Sequence, residues 1–275
     1  MRTAFYAVSS LRVLGLSRFA GFLLRPRVLL SGACLVFALA GTALGADHVK
    51  SCEKCHSDPD FLVTNKKLYD YYKGWSTSIH KQEGVSCNDC HGGNPQASDK
   101  VEAHGKGVKP TDPASGVYYK NIPETCGSCH TEILEGFRES NHFKHVEKKD
   151  EEQGPTCVTC HGSVSTEILN VNNVSAACAR CHNEESKNHP DNPEKASAIL
   201  HRFLSIQRFY RYITMHAKPE EAKEFFSKID PSMRRLVVTW HTFDLEKIDQ
   251  GTELMLVALK AKRDEIRSRQ APRAE

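Results

Sequence analysis

Cys52-Glu-Lys-Cys55-His56 is a spacing that suits three chemistries: a zinc site, a redox disulfide, or covalent attachment of a c-type haem. The same pattern recurs as Cys87-Asn-Asp-Cys90-His91, Cys126-Gly-Ser-Cys129-His130, Cys157-Val-Thr-Cys160-His161 and Cys178-Ala-Arg-Cys181-His182. These five units use ten of the eleven cysteines, and the eleventh, Cys34, lies in the N-terminal leader. Disulfides have no need of a histidine after every pair. A zinc ribbon is the stronger rival, because 17 residues separate Cys160 from Cys178, a spacing that pairs two C-x-x-C units. An odd number of units cannot pair off, however, and a ribbon has no use for five histidines. A thioredoxin-like pair needs a βαβ context, which the sequence lacks.

Haem attachment accounts for every residue of the pattern. Each of two vinyl groups takes a thioether bond from one cysteine, two intervening residues let both sulfurs reach, and the adjoining histidine falls beneath the iron. The expected cofactor is therefore haem c, five per chain, with His56, His91, His130, His161 and His182 as proximal ligands.

A histidine in the sixth position makes a low-spin centre suited to electron transfer, whereas an open position admits substrate. Nine of the 14 histidines remain for that role. His80 and His142 are the leading candidates because they hold the same place in an internal repeat. His104 follows motif two, and His145 lies one helical turn from His142. His201 and His241 sit among aromatics on predicted helices, where a core histidine is the competing role. His48, His189 and His216 are weaker, and Met215, Met233 and Met255 are substitutes that so many histidines make unnecessary.

The elements that must position these residues are short. The motifs span residues 52–182, with loop-like stretches such as Gly92-Gly93-Asn94-Pro95 and Lys109-Pro110-Thr111-Asp112-Pro113. About 140 residues around five haems leave too little chain for an ordinary side-chain core, so the haems are expected to be the core and to lie in contact. The repeat reads Ser78-Ile-His80 then Gly84-Val-Ser-Cys87-Asn-Asp-Cys90-His91-Gly92, and Ser140-Asn-His142 then Gly154-Pro-Thr-Cys157-Val-Thr-Cys160-His161-Gly162. The second copy carries an insertion, residues 143–153, whose charged run Lys148-Lys-Asp-Glu-Glu152 is read as a solvated loop.

From about Asp191 cysteine disappears and helical periodicity takes over: Ile199, Leu200, Phe203, Ile206, Tyr210 and Ile213 share one face. Asp230-Pro231 is expected to start a helix as N-cap and first residue, and a break is expected near Gly251. Two to four helices should pack on the haem block, with Leu254 to Leu259 as core ahead of a docking face. The fold class is thus mainly α with extensive loop, a haem-cored cytochrome followed by a helical region. The expected divisions are 1–45, 46–190 and 191–275.

The N-terminus opens with Arg2, Arg12, Arg18, Arg25 and Arg27, then an apolar run from Val28 to Leu44 that closes in Ala43-Leu44-Gly45-Ala46. This is the pattern of a secretory signal peptide cut after Gly45, with an uncleaved membrane anchor as the alternative. Export to the periplasm fits haem attachment. Loss of residues 1–45 lowers Lys+Arg from 37 to 32 against 34 Asp+Glu, so the net charge moves from +3 to −2. That excludes a nucleic-acid binder, which needs a basic excess.

On its five C-x-x-C-H units and the repeated Ser-x-His before C-x-x-C-H-Gly, the chain resembles the multihaem c-type cytochromes of bacterial anaerobic respiration. The resemblance covers roughly residues 46–190. It is nearest in style to electron-transfer members of the superfamily of ammonia-forming nitrite reductase and hydroxylamine oxidoreductase, and implies haems packed in parallel and perpendicular pairs. The nitrite reductases place lysine after the second cysteine of the catalytic haem, but here every motif ends in histidine. The expected role is a periplasmic electron carrier between a quinol-oxidising membrane complex and a terminal reductase or outer-membrane conduit. The alternative is a reductase or oxidase of a small nitrogen or sulfur species, with His142, His145, Arg138 and Lys144 around an open site. A structural or sensory subunit held by its tail is the third reading.

Overall fold

The computed structural model describes residues 51–148, 154–162 and 171–270. The leader, Cys34, His48 and most of the charged run 148–152 lie outside them. The described residues form helices, turns and loops, with no strand. Short helices come first: α1 (Ser51–His56), α2 (Asp60–Thr64), α3 (Lys66–Ser76), α4 (Ile79–Gln82), α5 (Cys87–His91) and α6 (Lys100–His104). A 3₁₀ turn at Tyr119–Asn121 leads to α7 (Ile122–Gly127), α8 (Thr131–Arg138), α9 (Asn141–Glu147), α10 (Cys157–His161) and α11 (Val171–Ala179). Three long helices follow, α12 (Asn192–His216), α13 (Pro219–Trp240) and α14 (Leu245–Gln270).

Local chemistry explains why the first eleven are short. In the repeat, Ser86 and Thr156 start α5 and α10. The Asp89 carboxylate accepts from Ser86 N at 2.7 Å, and Thr159 Oγ1 accepts from Thr156 N at 3.0 Å, side chains at the third helical position reaching back to the cap. Each helix then ends on a left-handed glycine, Gly92 at φ +71° and Gly162 at φ +73°, a conformation that glycine adopts without steric penalty. A motif helix is therefore little longer than its motif.

The long helices bury a conventional core. Ile206 and Ile213 of α12 pack against Met255, Leu259 and Ile266 of α14, with Phe225, Phe226, Ile229 and Met233 of α13 alongside. Ile199, Ile206 and Ile213, seven residues apart, are fully buried, as the 3.6-residue period requires. Leu254 to Leu259 divides between the two expected roles: Met255 and Leu259 are buried, but Leu254 and Val257 are 73% and 60% exposed.

Two expectations about helix boundaries fail. Pro231 lies inside α13 instead of starting a helix. The apolar stripe Phe226, Ile229, Met233 and Leu236 runs through it onto the core, and Asp230 accepts a hydrogen bond from Tyr210 instead of serving as a cap. Burial of that stripe outweighs the loss of one backbone donor. Nor does Gly251 break α14, which runs through it to Gln270. A Cβ there would come within 2.7 Å of Leu236 Cδ1, so the glycine lets α14 approach α13 closely.

The long helices also meet the motif region. A Cβ on Gly136 of α8 would lie 2.7 Å from the Val238 carbonyl oxygen of α13. This backbone-level approach brings the end of α13, with His241, to the motifs.

Candidate functional site

The repeated Ser-x-His acts as a positioning device. Ser78 caps α4, its Oγ accepting from Lys81 N at 3.3 Å and donating to Trp75 O at 2.7 Å. Ser140 caps α9 in the same way, accepting from Phe143 N at 3.1 Å and donating to Phe137 O at 2.6 Å. Both serines are buried. Each fixes the first turn of its helix, and His80 or His142 stands two residues on in that turn.

Four of the five motif histidines face a second imidazole. Between ring centres the separations are 6.2 Å for His56 and His104, 6.3 Å for His80 and His130, 6.0 Å for His142 and His182, and 6.2 Å for His161 and His241. Two imidazoles sharing one metal, each nitrogen about 2.0 Å from it, have ring centres about 6 Å apart. The repeat is kept at this level too. His80 precedes motif two and reaches motif three; His142 precedes motif four and reaches motif five.

Hydrogen bonds orient several rings. His104 Nδ1 lies 2.7 Å from Lys100 O, His182 Nδ1 2.7 Å from Asn188 O, and His241 Nδ1 2.9 Å from Val237 O. Bonding one nitrogen to a backbone carbonyl leaves the other free as a ligand. His182 also has His189 at 6.4 Å. His142, at 6.0 Å, and His189 thus both lie near the His182 ring. Burial lowers the pKa of His56, His80, His161 and His241, and pushes His142 down to about 4 with help from His182 and His145. All five stay neutral at pH 7, the form that binds a metal.

The remaining candidates differ. His91 hydrogen-bonds the Val108 backbone and, among the described residues, makes no ring contact with a second imidazole. His145 is exposed, with its Nδ1 3.4 Å from Lys148 Nζ, and His201 is exposed on α12; neither makes ring contact with a motif histidine among the described residues. The polar groups expected around an open site at His142 are engaged elsewhere: Arg138 bonds Glu124 at 2.6 Å and Lys144 bonds Asn141 at 3.0 Å.

Successive motifs are neighbours. Cys52 and Glu53 act on the Cys87 thiol, which burial above all pushes up to about 11. Burial and then Cys126 raise Cys90. The Cys126 and Cys157 thiols interact, which raises Cys126 and lowers Cys157. Burial, then Cys178, pushes Cys160 up to about 11, and Arg180 Nη2 donates to Thr159 O at 2.6 Å. The motifs thus follow one another in space in chain order.

The donor set fits haem c. All ten motif cysteines are free thiols. Among the described residues no three His, Cys, Asp or Glu side chains converge as a metal cluster. Among the described residues His142 Nδ1 is buried without a hydrogen-bond partner.

Comparison with known proteins bears on the same region. Residues 63–150 match the family model Cytochrome c552, and residues 115–190 match Cytochrome c7 and related cytochrome c. The C-type polyheme cytochrome OmcC of Geobacter sulfurreducens is 28% identical over 136 residues, covering 49% of this chain and 14% of that protein. The chain therefore spans about a seventh of that relative's length. No solved structure matches. Among the described residues no helix is long and apolar enough to cross a membrane. Sequence analysis missed two features of the site. One is the crossing of His104 back to motif one, which no spacing rule reports. The other is Phe243, packed on His142 at 4.3 Å between ring centres. The motifs, the paired imidazoles and these matches support a multihaem c-type cytochrome of electron transfer.

Proposed function

We propose that this protein is a periplasmic electron carrier of anaerobic-type respiration, with five covalently attached haems held in chain order. The observation that carries the reading is the set of four histidine pairs at the separation two imidazoles take on one metal. Haem c supplies reversible one-electron exchange between ferric and ferrous iron. The ten motif cysteines would anchor it, and the five motif histidines would ligate its iron. His104, His80, His142 and His241 would be second ligands at motifs one, three, five and four respectively. A second histidine at four of the five motifs favours a carrier over an enzyme. Contact between consecutive motifs favours one continuous route from motif one to motif five. The narrower kinship, with the electron-transfer members of the nitrite reductase and hydroxylamine oxidoreductase superfamily, is part of this proposal. So is a position between a quinol-oxidising membrane complex and a terminal reductase or outer-membrane conduit, with the leader as export signal or anchor.

One observation favours a second reading. His91 makes no ring contact with another imidazole among the described residues, so an enzyme of small nitrogen or sulfur species would work at motif two. Haem content and low-temperature EPR on one oxidised sample test both readings. Five haems per chain, with those at motifs one, three, four and five low-spin, is the expected result. A high-spin ferric signal in the parent protein that shifts on adding nitrite or hydroxylamine would move the assignment to an enzyme at His91. A zinc-loaded, haem-free protein would overturn both.

A further inference from the structure

His142 differs from three of the other paired rings in its second nitrogen. His104, His182 and His241 each turn Nδ1 to a backbone carbonyl at 2.7–2.9 Å, but His142 Nδ1 is buried with no hydrogen-bond partner among the described residues. The ring packed on it is Phe243, at 4.3 Å between centres and 67° between planes. Phe243 has a backbone φ of +57°, the left-handed region that bulky side chains avoid and that clusters at functional sites. It lies two residues beyond His241, the C-cap of α13. The turn holds it there: Thr242 N donates to Thr239 O at 3.0 Å, and Phe243 N to Trp240 O at 3.2 Å. An aromatic ring kept in an unfavourable backbone conformation points to its contact with His142 as the reason for its presence.

A ligating imidazole that donates its second N–H to a carbonyl is more basic and stabilises the ferric state. One denied that bond, with water excluded by an apolar ring, stabilises it less, and the reduction potential rises. We propose that Phe243 is a positioning residue: it holds His142 toward the His182 centre, withholds an acceptor from the second ring nitrogen, and so raises that centre's reduction potential. This rests on the pairing of His142 with His182 as ligands. The turn then serves two neighbouring centres at once, since His241 faces His161 from the same three residues.

The test is a redox titration of the full holoprotein, followed by EPR and optical spectra. In Phe243→Asn and Phe243→Gln the side-chain carbonyl supplies an acceptor, and asparagine also suits the left-handed backbone. One centre of the five should move to lower potential while the others keep theirs. Phe243→Leu, apolar and without an acceptor, should leave that centre close to the parent. Unchanged potentials in both amide variants would overturn the proposal, and so would a Leu variant shifted as far as the Asn one. His142→Ala separates this from the ligand reading. One new high-spin centre there keeps the pairing whatever Phe243 does, whereas five unchanged centres would remove pairing and proposal together.

Discussion

A capped first helical turn holds the histidine within it in one orientation. At His80 and His142 the caps are Ser78 and Ser140, each buried and bonded on both sides. Ser140→Ala and Ser78→Ala should each lower stability by about 1 kcal/mol, the usual worth of an N-cap, measurable by chemical denaturation. His80→Ala and His104→Ala should each convert one low-spin centre to high-spin in EPR. His145→Ala and His201→Ala should convert none, and conversion by either would contradict the pairings. The five motifs were legible in the sequence because the pattern ties cysteine and histidine to one another within five positions, and the repeat singled out His80 and His142, which the structure sets beside motif histidines. Their partners were not, because each pairs with a motif some 40 to 50 residues away (His130 and His182), and no local rule spans that distance.

At the scale of the element, close approach between helices decides where ligands arrive. Gly136 lets α8 meet α13 at the Val238 carbonyl, and α13 ends at His241. Gly136→Ala puts a methyl group 2.7 Å from that oxygen, which should cost about 1–3 kcal/mol as overpacking and raise the high-spin fraction of one centre. A change in stability without a change in EPR would show that the joint does not position His241. Pro231 and Gly251 teach the complementary lesson. Both were read from the sequence as helix boundaries, and both lie within helices. Local propensity lost to burial, since the stripe from Phe226 to Leu236 and the α13–α14 approach outweigh one missing donor and one flexible residue. Pro231→Ala should therefore stabilise the long helices by up to about 3 kcal/mol, the penalty of a helix-interior proline, visible as a rise in Tm. A fall in Tm would mean that α13 needs the proline's shape.

For the molecule as a whole, acid should act on the long helices through Glu221. Its carboxylate bonds Arg269 and Lys262, which hold its pKa down from 4.5 to about 2. The folded state therefore binds fewer protons than the unfolded one at this position. The stabilisation is complete above pH 4.5 and is lost as pH falls toward 2. Glu221→Gln should flatten that part of the stability–pH curve for the long helices, measured by denaturation monitored at Trp240. An unchanged acid limb would place the acid sensitivity elsewhere.

The sequence by itself determined the attachment chemistry, the number of attachment motifs, the helical class and the change of character near Asp191. Those properties are local: they depend on residues a few positions apart or on periodicity within one element. Only the tertiary structure decided which histidine faces which motif, that the motifs follow one another in space, and that the long helices deliver His241 and Phe243 to the last two of them. The physical reason is that these pairings join segments distant in sequence, and their geometry depends on how closely backbones approach at Gly136 and Gly251 and on which side of each ring is already hydrogen-bonded.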